Sequence, residues 1–123
     1  MVKVAVYNFD YCQGSTYRFS ITPFTNVELT NSLDLTGSSV RGQIRVNAQS
    51  ADYVPMVCTV NGNRIDVEIP ADALVGSRIP ITGKTYKDTT QVWYDVEIVY
   101  PSGDVRRILQ GTIKVSPEVT RDG

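Results

Sequence analysis

The fold is decided by residues 94–115, which read YDVEIVYPSGDVRRILQGTIKV. Two runs rich in β-branched and aromatic residues flank a turn sequence from Pro101 to Asp104, a pattern that is typical of a long β-hairpin. Gly103 suits the left-handed backbone position of such a turn. Gly111, within the second run, predicts either a β-bulge or the close approach of another backbone segment.

Alternation of apolar and polar residues predicts further strands on either side of this hairpin. Residues 15–22 and 40–47 alternate cleanly, and residues 2–9 alternate in part. Each pattern predicts a strand with one buried and one exposed face. Residues 56–60 and 64–69 flank an Asn-Gly-Asn turn, so they predict a second hairpin.

Helical patterns are scarce, since only residues 70–75 predict a short helical turn, which Gly76 would end. The sequence therefore predicts an all-β fold: an antiparallel β-sandwich of immunoglobulin-like or jelly-roll-like shape, with about seven strands and little helix. A closed barrel is the alternative. The chain of 123 residues suffices for one core, and we predict a single domain over residues 1–115. Residues 116–123 form an extended C-terminal tail that is either frayed or captured by a neighbouring protein.

Composition argues against several functional classes. Apolar residues make up 41% and charged residues 20% of the chain, as in ordinary globular proteins. The net charge of −1 gives no general attraction to nucleic acid or to an anionic membrane. The chain has no histidine, which removes the commonest general base and metal ligand. No phosphate-binding loop or metal motif is present. We therefore predict a protein that is not an enzyme and needs no cofactor or metal.

The N-terminus and the cysteines bear on the compartment. Residues 1–7 lack the features of a signal peptide, so synthesis in a cytoplasm is expected. Cys12 and Cys58 match no zinc or redox motif. They predict two separate thiols, with Cys58 in the core; a disulfide between them is the alternative.

Two carboxylates on the closing hairpin have competing interpretations. Asp95 and Glu97 alternate on one strand and share a face, so they could serve glycoside hydrolysis or bind calcium. Arg106 and Arg107 lie on the partner strand, and cross-strand ion pairs are the simpler interpretation.

Exposed aromatic and cationic residues indicate surfaces for contact with a partner. Arg41 and Arg45 share the polar face of one strand, and arginine is enriched at protein interfaces. Trp93 points away from the predicted core and could be a protein hot spot or a platform for carbohydrate, or it could cap the edge of the sandwich. The long loop over residues 77–90 and the polar tail are further candidates. The complete set of candidate partner-binding residues is Arg41, Arg45, Lys84, Tyr86, Lys87, Trp93, Pro117, Glu118, Val119, Thr120 and Arg121.

Several of these segments together resemble a known family. The matching segments are Tyr94-Asp95-Val96-Glu97, Pro101-Ser102-Gly103, Arg107-Ile108-Leu109-Gln110-Gly111-Thr112-Ile113 and Ser116-Pro117-Glu118-Val119-Thr120-Arg121. They resemble the C-terminal signature of small structural proteins of tailed bacteriophages. Upstream, Leu33-Asp34-Leu35-Thr36-Gly37 followed by Arg41-Gly42-Gln43-Ile44-Arg45 resembles the same proteins. The pattern is also similar to the N-terminal domain of phage baseplate upper proteins, which is β-rich and joins receptor-binding parts to the virion.

The resemblance implies a non-enzymatic virion structural protein, associated with the tail or baseplate and made in the cytoplasm of a host bacterium. It would act as an adaptor or scaffold that joins neighbouring virion proteins or fibres, in multiple copies within a symmetric assembly. Its partners would be tail, baseplate, fibre or capsid proteins, with no nucleic acid, membrane or small-molecule substrate. Two alternatives remain open: a head decoration protein that clamps capsid subunits, and a carbohydrate-binding module that uses Trp93 and nearby tyrosines.

Overall fold

A computed structural model describes residues 4–24, 33–75 and 79–120 of the chain. The described residues form eight strands and no helix, which confirms the all-β prediction. The strands are β1 (Ala5–Val6), β2 (Phe9–Cys12), β3 (Tyr17–Ile21), β4 (Ser39–Arg45), β5 (Val54–Asn61), β6 (Arg64–Ile69), β7 (Thr90–Val99) and β8 (Val105–Ser116).

The strands form one mixed sheet that curls into a half-barrel. Their order is β1-β8-β7-β4-β5-β6-β3, and β2 also pairs with β8. Strand β5 makes the corner, because its residues 54–56 pair with β4 whereas its residues 57–61 pair with β6. A strand that changes partners in this way lets the two halves of a sheet face each other across a core.

The predicted antiparallel arrangement needs a correction at one edge. Both β1 and β2 run parallel to β8, with Ala5 opposite Leu109 and Phe9 opposite Ile113. In the described part of the strand predicted over residues 2–9, β1 ends at Val6 and β2 begins at Phe9, so Tyr7 and Asn8 separate two short strands. There the Asn8 side chain takes the place of the backbone ladder, because its Oδ1 accepts the Thr112 backbone N–H at 2.9 Å.

The closing hairpin forms as predicted, and its β-bulge and its close backbone approach lie at different positions. The Gly103 N–H donates to the Tyr100 carbonyl at 2.9 Å, and Gly103 has the positive φ of +91° expected of it. The register shift lies between Val96 and Glu97 rather than at Gly111. Gly111 instead marks a close backbone approach, since a Cβ added there would collide with the Tyr7 carbonyl oxygen.

The core lies inside the curl, where the apolar face of every long strand points. Among the described residues, no polar or charged side chain is buried in it. Phe9 of β2 stacks on Tyr17 of β3 with ring centroids 4.5 Å apart, and it forms a T-shaped pair with Tyr94, whose centroid lies 5.4 Å away. Aromatic contacts therefore link β2 to β3, although these two strands are not hydrogen-bonded neighbours in the sheet.

Two local predictions have a clear outcome. Residues 70–75 form hydrogen-bonded turns but no helix, with the Ala73 N–H donating to the Pro70 carbonyl at 3.0 Å. Gly76, the predicted end of that turn, lies outside the described residues. Cys12 and Cys58 are free thiols, as predicted. Burial raises the pKa of the half-buried Cys58 to about 11.

Candidate binding groove

An open groove of about 560 Å³ crosses the outer face of β1, β8, β7 and β4. Trp93 lines it, and the polar or charged residues around it include Asn8, Gln43, Arg45, Asp95, Arg107, Gln110 and Thr112. We call this feature the Trp93 groove. Its volume falls within the range of roughly 300–1,000 Å³ that is typical of ligand sites.

Strand register explains why these side chains meet. On the outer face, Arg45, Trp93 and Thr112 form one cross-strand row. Gln43, Asp95 and Gln110 form the next row, because outward-pointing residues alternate along each strand. Trp93 has 48% of its surface exposed, so the sequence prediction that it points away from the core is confirmed.

The carboxylates of the closing hairpin are paired, as the simpler interpretation predicted. Asp95 Oδ2 lies 3.4 Å from Arg107 Nε. Glu97, however, pairs with Arg41 of β4, whose Nε lies 3.0 Å from Glu97 Oε1. The second partner therefore comes from the neighbouring strand β4, which a hairpin considered alone does not reveal.

Arg45 is held by its own chain. Its Nη2 donates to Gln43 Oε1 at 2.9 Å, and its Nη1 donates to the Ser50 carbonyl. Its guanidinium carbon also lies 4.9 Å from the centre of the Tyr53 ring. Arg45 thus fixes residues 46–53 beside the groove, while its contact with a partner stays a prediction.

Burial and repulsion by Glu97 affect the pKa of Asp95 more strongly than the attraction of Arg107 does. Burial raises the pKa of the Asp95 carboxyl and the nearby Glu97 raises it further, while Arg107, Arg45 and Arg41 lower it. The ion pair with Arg107 alone would favour the ionised form. At 3.4 Å and partly exposed, that pair is the weaker influence.

The Asp95→Asn variant should therefore be more stable than the parent at neutral pH, by a few tenths of a kcal/mol after solvent screening. A raised folded-state pKa means that stability is present below the unfolded pKa and is lost as pH rises through the folded one. Urea unfolding between pH 3 and pH 7 measures the effect. The advantage of the variant should grow with pH, and an advantage that shrinks with rising pH would contradict the assignment.

The loop residues lie away from the groove. Lys84, Tyr86 and Lys87 are all exposed, and none of them lines the Trp93 groove. The loop is ordered by a turn in which the Asp88 N–H donates to the Thr85 carbonyl at 2.9 Å. The Lys87 amine lies 5.9 Å from the centre of the Tyr86 ring. The loop leads directly into β7, so these side chains lie near one end of the sheet.

The tail begins by docking on its own chain. The Glu118 N–H donates to Gln13 Oε1 at 2.9 Å, and the Gln13 N–H donates to the Ser116 carbonyl at 3.0 Å. Pro117 and Glu118 are half-buried, whereas Val119 and Thr120 are exposed. Arg121 lies outside the described residues.

Four polar residues of functional interest escape prediction from sequence. Gln43 and Gln110 occupy outward positions of alternating strands, which is the one signal that could have found them. Asn8 reaches the groove because β1 pairs with β8, and Gln13 meets the tail because β2 pairs with the end of β8. The sequence contains no local sign of either contact.

Other kinds of site and similarity to known proteins add little to this description. Within the described ranges, no cluster of three or more cysteine or acidic side chains is suited to a metal ion. The described part of the chain also contains no helix of the length and apolarity that crossing a membrane requires. No protein-family model matches the chain, and no curated protein matches its sequence.

Proposed function

We propose that the chain is a non-enzymatic structural protein of a bacteriophage virion, acting as an adaptor or scaffold in the tail or baseplate. One observation carries the proposal beyond the sequence resemblance. The candidate contact residues lie on two distinct surfaces, one on the outer face of the sheet and one at its end. An adaptor that joins neighbours needs at least two such surfaces, whereas a catalyst gathers its residues at one site.

The first surface is the outer face of the sheet. It carries Trp93 and Arg41, with Arg41 more than half exposed despite its pair with Glu97. Tryptophan and arginine are the residue types most enriched at the energetic centres of protein interfaces.

The second surface is the end of the sheet where β7 begins and β8 finishes. Thr90 is opposite Val115 there, so the loop before β7 and the tail after β8 leave the same end. Tyr86 and Val119 are the exposed apolar side chains of this surface, at 67% and 81% exposure. Val119 and Thr120 directly follow residues that are docked on the domain, so they can bind a neighbouring subunit with a smaller loss of entropy than a fully free tail.

The motifs behind the resemblance meet in space. Strand β4, which follows the Leu33–Gly37 motif, pairs with β7 along its whole length. Gly37, at φ +74°, lies against Pro101 of the closing turn, where an added Cβ would come within 3.1 Å of the proline ring. The motifs thus belong to one packed unit, which supports a shared scaffold. The same proposal includes a finer description of the fold. In it, the two parts of the sheet on either side of β5 pack as an immunoglobulin-like or jelly-roll-like sandwich.

Purified particles test the proposal. We expect the chain to co-sediment with infectious particles in a density gradient, and cryo-electron microscopy to place it at the tail or baseplate in symmetry-related copies. Density on the capsid would replace the tail assignment with head decoration. Absence of the chain from particles would reject a virion role altogether.

A truncation tests the second surface. Deleting residues 119–123 keeps the contact between Glu118 and Gln13, so the free energy of unfolding should stay within about 0.5 kcal/mol of the parent. Incorporation into particles should fall several-fold, as quantified by mass spectrometry of purified virions. Thr59→Ala, an exposed change on β5, serves as the control. Normal incorporation of the truncated chain would remove the tail from the proposed interface.

A further inference from the structure

We propose that the Trp93 groove is a saccharide-binding site that takes one or two sugar rings against the indole of Trp93. This goes beyond the adaptor role and assigns the Trp93 indole to a sugar, so the protein contacts of the outer face would rest on Arg41, which does not line the groove. The exposed ring, the amide groups that line the groove and the engagement of its charged side chains within the chain all support this assignment.

The exposed indole provides the apolar half of such a site. Trp93 is half-exposed on an open, concave face, flanked across the strands by Arg45 and Thr112. A sugar ring has an apolar face of C–H groups and a rim of hydroxyls. A flat aromatic side chain in a polar groove matches that amphipathic shape, because it covers the apolar face and leaves the rim to polar neighbours.

Three amides provide the polar half. Gln43 Oε1 accepts from Arg45, Gln110 Oε1 accepts from Arg107, and Asn8 Oδ1 accepts from Thr112. Each amide thus uses its oxygen within the chain, and its NH₂ group is the part left to serve a ligand. The second oxygen of Asp95 adds an acceptor, since the pair with Arg107 uses Oδ2.

The same contacts hold the site in shape before any ligand arrives. Arg107 joins Asp95 to Gln110, with its Nη1 donating to Gln110 Oε1 at 3.0 Å. Arg45 is fixed by Gln43, Ser50 and Tyr53. Side chains that are already ordered lose little further entropy on binding. This low cost matters for an uncharged ligand, because such a ligand gains no ion pair to offset it.

The charged side chains of the groove are already engaged within the chain. Arg107 is paired with Asp95, and the guanidinium of Arg45 is held by Gln43, the Ser50 carbonyl and the Tyr53 ring. The polar groups left for a ligand are therefore mainly the uncharged NH₂ groups of the three amides, because the Thr112 hydroxyl already donates to Asn8 Oδ1. Hydroxyls donate as well as accept, so a neutral saccharide satisfies both these donors and the free oxygen of Asp95.

Fluorescence provides a direct test, because Trp93 is the single tryptophan of the chain. We would titrate the full chain with methyl glucoside, methyl galactoside and chitotriose after screening a glycan array. The expected result is a saturable change of Trp93 emission for at least one of the array sugars. No binding on the array together with unchanged emission would overturn the proposal.

Variants separate saccharide binding from a general effect on the fold. Trp93→Ala should weaken binding to the selected sugar at least about tenfold on the array. Gln110→Glu keeps the acceptor for Arg107 but removes the NH₂ donor, so it should also weaken binding several-fold. Gln91→Glu makes the same change on the same strand face outside the groove and should bind like the parent. Unchanged binding by both groove variants would place the sugar elsewhere and overturn the assignment.

Failure here is distinguishable from failure of the adaptor role. Particle incorporation of Trp93→Ala can be measured independently of sugar binding. Lost incorporation with no sugar binding by the parent would make the groove a protein interface, and the saccharide proposal would be wrong.

Discussion

Replacing Gly111 by alanine should lower the free energy of unfolding by about 3 kcal/mol. The added Cβ would collide with the carbonyl oxygen of Tyr7, and it would lie 2.8 Å from the Tyr7 carbonyl carbon and 2.9 Å from Asn8 Oδ1. These are backbone atoms and a hydrogen-bonded side chain, which cannot move without breaking the bond from the Tyr7 N–H to the Gln110 carbonyl. Urea denaturation measures the loss, and hydrogen exchange should show faster opening at the amides of Tyr7 and Thr112.

Gly42→Ala is the matched control for this variant. Gly42 also lies within a buried strand position, but its added Cβ would meet the terminal methyl of Met56 at 2.7 Å and the Cys58 sulfur at 3.3 Å. The end of a methionine side chain can rotate away, so the expected loss is below about 1 kcal/mol. Equal losses for Gly42→Ala and Gly111→Ala would contradict the idea that a backbone contact limits position 111.

Replacing Phe9 by alanine should cost about 4 kcal/mol of unfolding free energy, because it opens a cavity at the junction of β2 and β3. The Phe9 ring contacts the rings of Tyr7, Tyr17, Phe19 and Tyr94, with centroids between 4.5 and 5.7 Å apart. Each such pair adds roughly 0.5–1.5 kcal/mol beyond the area buried. Chemical denaturation provides the measurement.

Tyrosine titration provides a second, local measurement on the same variant. Burial and the hydrogen bond with Tyr7 together raise the pKa of Tyr17 to about 12. The stability that Tyr17 contributes is therefore present below pH 10 and is lost as pH rises toward 12. In Phe9→Ala the pKa of Tyr17 should move toward 10, as followed by NMR of labelled tyrosine rings, because the chain has seven tyrosines that absorb together. Tyr86→Ala, at an exposed ring, should change stability by less than about 0.5 kcal/mol.

The strands and turns of this fold were predictable where the information is local. Alternation placed β3, β4 and β6 close to their observed bounds, and turn chemistry placed both hairpins, including the positive φ of Gly103. The parallel pairing of β1 and β2 with β8 was not predictable, because it joins residues 104 positions apart and alternation does not encode the partner. The change of partner along β5 is likewise invisible in a uniformly alternating strand.

The candidate groove was predictable only in its apolar part. Trp93 stands out as the single tryptophan on an outward position. The amides around it do not stand out, because glutamine and asparagine on exposed strand faces are ordinary residues. Their meeting depends on register across four strands, and one of these is the parallel edge strand that alternation misses.

The parallel edge has a mechanical consequence. Because β1 and β2 run in the same direction as β8, a force that pulls the start of β1 away from the end of β8 slides the strands past each other lengthwise. The hydrogen bonds from Ala5–Leu109 to Cys12–Ser116 then share the load, and they must break together rather than one after another. Placed in line between two neighbours, this domain would resist tension far better than a hairpin pulled open from its free ends.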